Sequence, residues 1–107
     1  KDYLARIIIN LVTNASQAKA DNRKSVINVD IEKIEKRIKI IVNDNGVGIS
    51  PDKLEKIFDP NFTSKNSGMG IGLTMVKRMV EDYNGTVTVV SEVDKGATFT
   101  ISMPSNL

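Results

Sequence analysis

The chain opens with a segment whose apolar residues recur every three or four positions. Over residues 2–19 this spacing is typical of an amphipathic helix. The apolar stripe consists of Leu4, Ile8, Leu11, Ala15 and Ala18. A second stripe at helical spacing contains the amides Asn10, Asn14 and Gln17. The pattern predicts a first helix with one apolar face and one amide-lined edge.

Four later segments are rich in β-branched residues that alternate with polar ones, as in half-buried strands. They are residues 26–33, 37–43, 86–91 and 97–103. In the first of them, Ile27, Val29 and Ile31 are the apolar positions. A short polar turn separates the first two segments, which predicts an antiparallel hairpin. A turn that contains Gly96 joins the last two.

Two more helices are predicted between these pairs of strands. Ser50 provides an N-cap, and a proline follows it at the start of a short helix over residues 51–57. Helical spacing returns over residues 71–83 and stops at the Asn-Gly pair 84–85. Its apolar stripe consists of Ile71, Met75 and Met79. Residues 59–70 show no period and are rich in Asn, Ser, Thr and Gly, which is typical of a lid or binding loop.

The order of these elements is helix, two strands, helix, long loop, helix, two strands. It predicts an α+β fold, a two-layer sandwich with helices on one face of a mixed, mostly antiparallel sheet. The length of 107 residues suits a single domain over residues 1–107. With 40% apolar and 26% charged residues the composition is that of a globular domain, and no apolar run nears the roughly 20 residues that span a membrane.

Charge and residue types narrow the chemistry further. The net charge of +2 is small and the basic residues are interleaved with acidic ones, which does not indicate binding to nucleic acid or to a membrane surface. The chain has no cysteine, which excludes disulfides and thiolate metal sites. It also has no histidine, so it cannot itself supply an imidazole base, an imidazole metal ligand or a phospho-acceptor histidine.

Asp44 is the most informative single residue. The parity of its strand, continued from Ile40 and Val42, places the carboxylate on the core side. A carboxylate there is costly unless a donor meets it, and the exocyclic amine of adenine is one such donor. Gly46 and Gly48 would leave room for a flat ring to approach the backbone. The structural alternative is an Asp that caps the following turn.

Three alternate glycines, Gly68, Gly70 and Gly72, lead into the predicted third helix. Backbone N–H groups in such a segment can converge on phosphate oxygens, and the N-terminus of a helix adds positive potential. The segment lacks the Gly-Lys-Ser/Thr end of a P-loop and the preceding strand of a dinucleotide fingerprint. A flexible hinge is the alternative interpretation.

The amide edge of the first helix offers ligands for a metal and its phosphates. Asn14 has a neutral oxygen for Mg²⁺, which takes one or two protein oxygens beside those of a nucleotide. Asn10, one turn earlier, would reach the phosphates or a metal-bound water. Alternatively, these amides line a solvated face of the helix.

In this order, the clusters resemble the nucleotide-binding boxes of the histidine kinase, gyrase, heat-shock chaperone and mismatch-repair ATPase superfamily, and most closely those of two-component sensor histidine kinases. Residues 10–15 (NLVTNA) resemble the asparagine box, and residues 44–49 (DNGVGI) resemble the first glycine box. Residues 57–65 (IFDPNFTSK) resemble the phenylalanine box, and residues 68–73 (GMGIGL) resemble the second glycine box. The similarity continues through residues 96–99 (GATF).

This resemblance implies a Bergerat-type fold that binds ATP and Mg²⁺. It implies that Asp44 binds the adenine amine, that Asn14 binds Mg²⁺, and that Asn10 and Lys65 contact the phosphates. Asn10 and Asn14 would then be the catalytic residues. The implied nucleotide-binding residues are Asn10, Asn14, Asp44, Gly46, Gly48, Ile49, Lys65, Gly68, Met69, Gly70, Gly72 and Leu73.

Within this set, Ile49 and Leu73 would be apolar walls of the pocket. Phe58 and Phe62 would anchor the lid, with core packing as the alternative for Phe58. The chain departs from many relatives at two positions. Gln17 replaces a basic residue, and the other departure is Ala97, where many relatives have a hydroxyl.

The resemblance also indicates the reaction. Hydrolysing members carry a glutamate one turn before the metal-binding asparagine, where this chain has Asn10. It therefore implies transfer of the ATP γ-phosphoryl group to a histidine on a separate dimerising hairpin, with a response regulator downstream. The domain is expected to be cytoplasmic, with no nucleic-acid or direct membrane contact, in a parent protein that is either membrane-anchored or soluble. Because the first residues already show helical periodicity without a cap, we expect the chain to be a fragment that lacks the upstream hairpin.

Three other functions remain open from the sequence. They are a serine kinase of the anti-sigma-factor type, an ATPase lobe of the gyrase or chaperone kind, and a non-catalytic module that senses nucleotide. The first would label serine on a protein antagonist, the second would turn over ATP alone, and the third would only bind it.

Overall fold

The computed structural model describes residues 2–54, 56–58 and 69–104, and within them all side chains except those of residues 2, 3 and 69–72. The predicted order of helices and strands is confirmed over these residues. The elements are α1 (Asp2–Gln17), β1 (Ile27–Ile34), β2 (Arg37–Asp44), α2 (Pro51–Leu54), α3 (Met69–Asp82), β3 (Thr86–Glu92) and β4 (Gly96–Pro104). None of the described helices has the length and apolar character needed to cross a membrane.

The four described strands form one sheet in the order β1-β2-β4-β3. All three pairings are antiparallel, so the parallel pair that a mixed sheet allows does not occur among them. The hairpin predicted for β1 and β2 is confirmed. α1 packs against α3 and β2, and α3 packs against β3. The predicted α+β sandwich is therefore confirmed, with its core between the helices and one face of the sheet.

The core-facing side of α1 carries Ile7, Leu11 and Ala15, all buried. Asn14 lies on the same side and is also buried, because it follows Ile7 and Leu11 at spacings of seven and three residues. The remaining buried apolar residues that complete this core are Ile40, Val42, Ile57, Leu73, Val76, Met79, Val80, Ala97, Phe99, Ile101 and Met103. Asn14, one member of the predicted amide stripe, thus lies on the core-facing side of α1.

The apolar stripe of α3 differs from the predicted one. Leu73, Val76 and Val80 are fully buried, whereas Met75 is 45% exposed. At about 100° per residue, Met75 lies roughly 200° around the helix from Leu73 and faces away from the sheet. Met75 of the predicted stripe thus faces solvent, whereas Met79 of the same stripe is buried. The side chain of Ile71, also predicted in this stripe, lies outside the described residues.

β1 is less buried than its alternating pattern predicts. Val29 and Ile31 lie opposite Val42 and Ile40 of β2, so their side chains are on the core side of the sheet. Nevertheless Val29 is 41% exposed and Ile31 is 55% exposed. β1 is an edge strand, and the helices pack mainly over its neighbours. The predicted strand exists, but only Ile27 at its start is half-buried.

α2 is shorter than predicted and ends at Leu54 rather than at residue 57. The carbonyl of Ser50 accepts hydrogen bonds from the N–H groups of Lys53 and Leu54. The N–H of Lys56 then bonds to the carbonyl of Lys53 at 2.8 Å, an i to i−3 contact that tightens the chain into a turn. Phe58 follows in this turn.

α3 ends in a Schellman motif, as the predicted Asn-Gly stop indicates. The N–H of Gly85 donates to the carbonyl of Val80 at 2.8 Å, and the N–H of Asn84 donates to the carbonyl of Glu81 at 3.0 Å. Asn84 has φ 62°, the left-handed conformation that this motif requires. The turn directs the chain into β3 and so places that strand under α3.

Asn84→Gly is expected to raise the free energy of unfolding by up to about 1 kcal/mol, because glycine adopts the left-handed conformation without the steric cost of a Cβ. Urea unfolding of the two proteins measures this difference. Gly85→Ala is a control with the opposite expected result. It should lower the free energy of unfolding, because a Cβ there would lie 2.7 Å from the Cβ of Met103. A loss of stability in Asn84→Gly would contradict the assignment of the motif.

Candidate functional site

The predicted site elements meet at one end of the sheet. β2 ends at Asp44 and β4 begins at Gly96, beside the turn over residues 45–49 that follows β2. The N–H of Val47 in this turn bonds to the carbonyl of Ala18 just beyond α1, at 2.8 Å. The carbonyl of Val47 accepts a hydrogen bond from the N–H of Asp94 at 2.7 Å. The turn is therefore fixed between the end of α1 and the β3–β4 connection.

Asp44 lies on the core side of the sheet, as its parity predicts, and is only 4% exposed. Its Oδ1 accepts a hydrogen bond from the N–H of Gly46 at 2.8 Å. Burial raises the pKa of Asp44, and the nearby backbone N–H groups of Gly46 and Ala97 oppose the rise. The turn-capping alternative is thus also observed. A carboxylate accepts about four hydrogen bonds, which leaves capacity for a further donor.

The glycines of this turn are needed for contacts within the protein. A Cβ on Gly46 would collide with the carbonyl oxygen of Ala18, and a Cβ on Gly48 would collide with that of Glu92. Gly48 also has φ +77°, which favours glycine. Close backbone packing thus accounts for both glycines, and the room that they would leave for an adenine ring stays a prediction.

The amides of α1 have different environments. Asn14 is only 5% exposed, which contradicts the solvated-face alternative for this residue. Its Nδ2 finds no hydrogen-bond partner among the described residues. A buried amide left unpaired costs about 1–3 kcal/mol, so it is suited to a polar ligand. Asn10, one turn earlier, is half-buried, whereas Gln17 is exposed.

α3 begins two residues earlier than predicted, at Met69, so Gly70 and Gly72 lie in its first turn. The first N–H groups of a helix have no intrahelical partner and carry positive potential. This part of the second glycine box therefore has the geometry for an anion. Of the other predicted residues, Phe62, Lys65 and Gly68 lie outside the described part of the chain.

The predicted apolar walls belong to the core or lie against it. Leu73 is 1% exposed, and Ile49 is half-buried against the core cluster. The ring of Phe58 packs edge-on against that of Phe99, with 6.5 Å between their centroids, and Nζ of Lys77 lies 5.6 Å from the Phe58 centroid. Core packing is thus observed for Phe58, while its role in anchoring a lid stays a prediction.

Two residues that support the turn were not predicted. Arg23, in the loop after α1, donates hydrogen bonds to the carbonyls of Asn45 and Gly46. Ser91 of β3 accepts a hydrogen bond from the N–H of Ile49 at 2.8 Å through Oγ, and Oγ donates to the carbonyl of Gly96 at 2.7 Å. No sequence pattern marks either residue. Arg23 lies in a polar stretch without periodicity, and Ser91 is one of several polar residues in a strand segment.

The described site therefore combines three features around one end of the sheet. They are a buried carboxylate with remaining acceptor capacity, a buried amide whose Nδ2 has no partner among the described residues, and the first turn of α3, whose N–H groups have no partner within the helix. A ligand with a donor on an apolar ring and an anionic group at its other end fits this combination.

Known proteins that are similar to this chain indicate its family. Over residues 1–107 the sequence matches the family described as Histidine kinase-, DNA gyrase B-, and HSP90-like ATPase. It is similar to the sensor histidine kinase ZraS of Escherichia coli (strain K12), with 42% identity over 106 residues. That alignment covers 99% of this chain but 22% of ZraS, so the chain spans only a small part of this relative.

Solved structures of histidine kinases have the same fold. The catalytic domain of histidine kinase ThkA is similar at a TM-score of 0.82 and 30% identity, over 97% of this chain and 67% of that one. Full-length ShkA in complex with AMPPNP is similar at a TM-score of 0.81 and 28% identity, over 95% of this chain and 21% of that one. The chain thus belongs to the histidine kinase-, DNA gyrase B- and HSP90-like ATPase family, as a catalytic domain of the sensor histidine kinase type.

Proposed function

We propose that this domain binds Mg-ATP and transfers the γ-phosphoryl group to a histidine on a separate segment of a two-component sensor kinase. The observation that carries the proposal is the buried carboxylate of Asp44. Its Oδ1 accepts a hydrogen bond from the N–H of Gly46, and the carboxylate keeps further acceptor capacity. The exocyclic amine of adenine supplies a matching donor. ShkA, which is similar over 95% of this chain, was solved with the ATP analogue AMPPNP.

The phosphate end of the nucleotide is assigned to α1 and to the start of α3. Backbone N–H groups of the second glycine box, Gly68 to Gly72, would bind the phosphate oxygens, helped by the helix N-terminus at Met69. Asn10 and Lys65 would contact the same phosphates. The apolar side chains of Ile49 and Leu73 would flank the ring.

Asn14 is the residue that we assign to Mg²⁺. The buried amide offers both groups that such a site needs: Oδ1 would be the oxygen ligand for the cation, and Nδ2, which has no described partner, would donate to a phosphate oxygen. Mg²⁺ held there would supply neutralisation of the phosphate charge during transfer. A single neutral protein ligand is sufficient, because Mg²⁺ takes its other ligands from water and phosphate oxygens.

The proposed reaction is transfer of the γ-phosphoryl group to histidine and not hydrolysis of ATP. In the transfer, a nitrogen of the acceptor histidine bonds to the γ-phosphorus, the bond from phosphorus to the bridging oxygen breaks, and ADP leaves. Such a transfer needs positioning and charge neutralisation more than a base. The amide of Asn10 cannot act as a base toward water. Because the chain has no histidine, the acceptor is a partner segment.

These roles define the proposed partners and place. The acceptor histidine would lie on the dimerising helical hairpin of the parent protein, and the phosphoryl group would pass from there to a response regulator. The domain would work in the cytoplasm without contacting nucleic acid or the membrane directly. ZraS, a sensor histidine kinase, is much longer than the matched region, which supports further domains in the parent.

Calorimetric titration of the 107-residue chain is expected to show Mg-ATP binding that Asn14→Ala weakens about tenfold, since a metal ligand is lost. Gln17→Ala, an exposed amide one turn later on α1, is the matched control and is expected to bind like the wild type. Equal affinity of both variants would contradict the assignment of Asn14.

The transfer itself is tested with γ-labelled ATP. We expect little label on the domain alone and acid-labile label on the histidine hairpin of the parent protein when that segment is added. Strong label on the domain itself would contradict the proposal. Acid-stable label on a serine partner would favour the serine kinase, rapid hydrolysis by the domain alone would favour the ATPase lobe, and binding without transfer would favour the sensing module.

A further inference from the structure

The guanidinium of Arg23 is surrounded by backbone carbonyls from two separate turns. Nε donates to the carbonyl of Asn45 at 2.8 Å, and Nη2 donates to those of Gly46 at 2.8 Å and Asp94 at 2.6 Å. Nη1 donates to Oδ1 of Asn22 at 3.1 Å. One side chain thus connects the loop after α1, the turn after β2 and the β3–β4 connection.

This arrangement suits arginine in particular. Carbonyl oxygens that converge on one place repel each other unless a donor lies between them. The guanidinium is planar, always charged and carries five N–H groups in a rigid fork, so it can serve all three acceptors at once. A glutamine amide has only two N–H donors, and a lysine ammonium is a point charge without the fork.

The residues that Arg23 holds also orient Asp44. The N–H of Gly46 donates to Oδ1 of Asp44, while the carbonyl of the same glycine accepts from Arg23. Both the N–H and the carbonyl of Gly46 are therefore held by hydrogen bonds. Asp94 has φ 69°, which is strained for a residue with a Cβ, and is held through its N–H by Val47 and through its carbonyl by Arg23.

We propose that Arg23 is a positioning residue of the nucleotide site, and that it acts through the turn over residues 45–48. By fixing this turn against the β3–β4 connection, it keeps the carboxylate of Asp44 where the adenine amine meets it. The inference rests on the proposed function. Displacement of a site by about 1 Å through a remote residue can change a rate or an affinity strongly. Arg23 is thus expected to set both affinity and base selectivity.

The test is Mg-ATP and Mg-GTP binding to Arg23→Gln, compared with Arg37→Gln. Arg37 is a matched control, because its guanidinium also donates hydrogen bonds, to Oγ of Ser102, but is exposed at the opposite end of β2. Arg23→Gln is expected to weaken ATP binding about tenfold and to narrow the preference for ATP over GTP, whereas Arg37→Gln leaves both unchanged. Guanine carries a carbonyl where adenine carries its amine, so the preference reports the geometry of Asp44.

A purely structural role for Arg23 has a different signature. It would lower the unfolding midpoint of Arg23→Gln and leave affinity and base preference intact at temperatures well below unfolding, which would overturn the inference. Arg23→Lys, which keeps the charge but not the fork, is expected to bind ATP with intermediate affinity. If Arg23→Gln does not fold, this variant decides the question, and wild-type affinity with wild-type base preference would again overturn the inference.

The outcomes also separate the inference from the proposed function. A wild-type chain that does not bind Mg-ATP would remove both. A wild-type chain that binds Mg-ATP, together with Arg23 variants that match Arg37→Gln, would overturn the role of Arg23 alone. Faster hydrogen exchange of the Val47 and Asp94 amides in Arg23→Lys, with unchanged exchange in β4, would support the role, because those two amides close the turn.

Discussion

Asp44→Asn is expected to raise the dissociation constant of Mg-ATP about a hundredfold, because the substitution places an amide where, in our proposal, a carboxylate accepts the adenine amine. The two side chains have the same shape, and asparagine keeps an oxygen for the N–H of Gly46. The loss should therefore reflect hydrogen bonding to the base and not a change of fold. Calorimetric titration measures it, and the preference for ATP over GTP should fall as well.

The same substitution, which should weaken ATP binding, is expected to raise the free energy of unfolding of the nucleotide-free protein. Burial raises the pKa of Asp44 above its usual 3.8, so the folded state holds the proton more tightly than the unfolded chain does. The carboxyl group therefore contributes its full stability below pH 3.8 and loses it as the pH rises through the raised pKa. In the absence of nucleotide, the free energy of unfolding of Asp44→Asn should therefore rise relative to that of the wild type between pH 3.8 and the raised pKa. The difference should persist at neutral pH.

Asp30→Asn is the matched control for both measurements, since Asp30 lies exposed on β1 and the substitution removes the same charge. It is expected to bind ATP like the wild type. If Asp44→Asn bound ATP with wild-type affinity, the adenine role of Asp44 would be excluded. If the stability difference between Asp44→Asn and the wild type declined with rising pH, the direction of the pKa shift would be wrong.

Gly96→Ala is expected to lower the free energy of unfolding by about 3 kcal/mol or more, because two independent effects add at this position. Gly96 has φ +112°, which side chains rarely adopt, and an added Cβ would collide with the carbonyl oxygen of Asp44. It would also lie 2.9 Å from the Cα of Asn45. Relief requires β2 and β4 to separate where Asp44 pairs with Ala97, so ATP affinity should fall with stability.

Lys95→Ala, in the same turn but exposed, is the matched control and is expected to change stability by less than about 0.5 kcal/mol. Urea unfolding and Mg-ATP titration of both variants provide the comparison. Wild-type stability in Gly96→Ala would show that the strands have more freedom at this point than the register of β2 and β4 indicates.

The parts of the fold that follow from local pattern could be predicted from the sequence. The parity of β2 placed Asp44 on the core side, and the Asn-Gly pair at 84–85 ended α3 where the Schellman motif lies. The exposure of Val29 and Ile31 could not be predicted in this way. It depends on β1 being at the edge of the sheet, which is decided by the pairing of β2 with β4, residues far apart in sequence.

Some residues of the candidate site could likewise be predicted from the sequence, and others could not. Asp44 and Asn14 could be selected because their residue types and spacings carry chemistry on their own, and both are buried. Arg23 could not, because the three backbone carbonyls that it binds lie 22, 23 and 71 residues away. Backbone groups are present at every residue, so no side-chain pattern marks them as partners.

The edge position of β1 has a consequence for how the domain opens. The chain just before β1 is tied to the site, since Oδ1 of Asn45 accepts a hydrogen bond from the N–H of Val26. The far half of the strand contributes no buried side chain, and Ile34 there is 64% exposed. Fraying from that end exposes little additional apolar surface and leaves β2 paired with β4. The integrity of the proposed nucleotide site and the integrity of the whole sheet are therefore two separate equilibria, and the far half of β1 can unpair while the site stays folded.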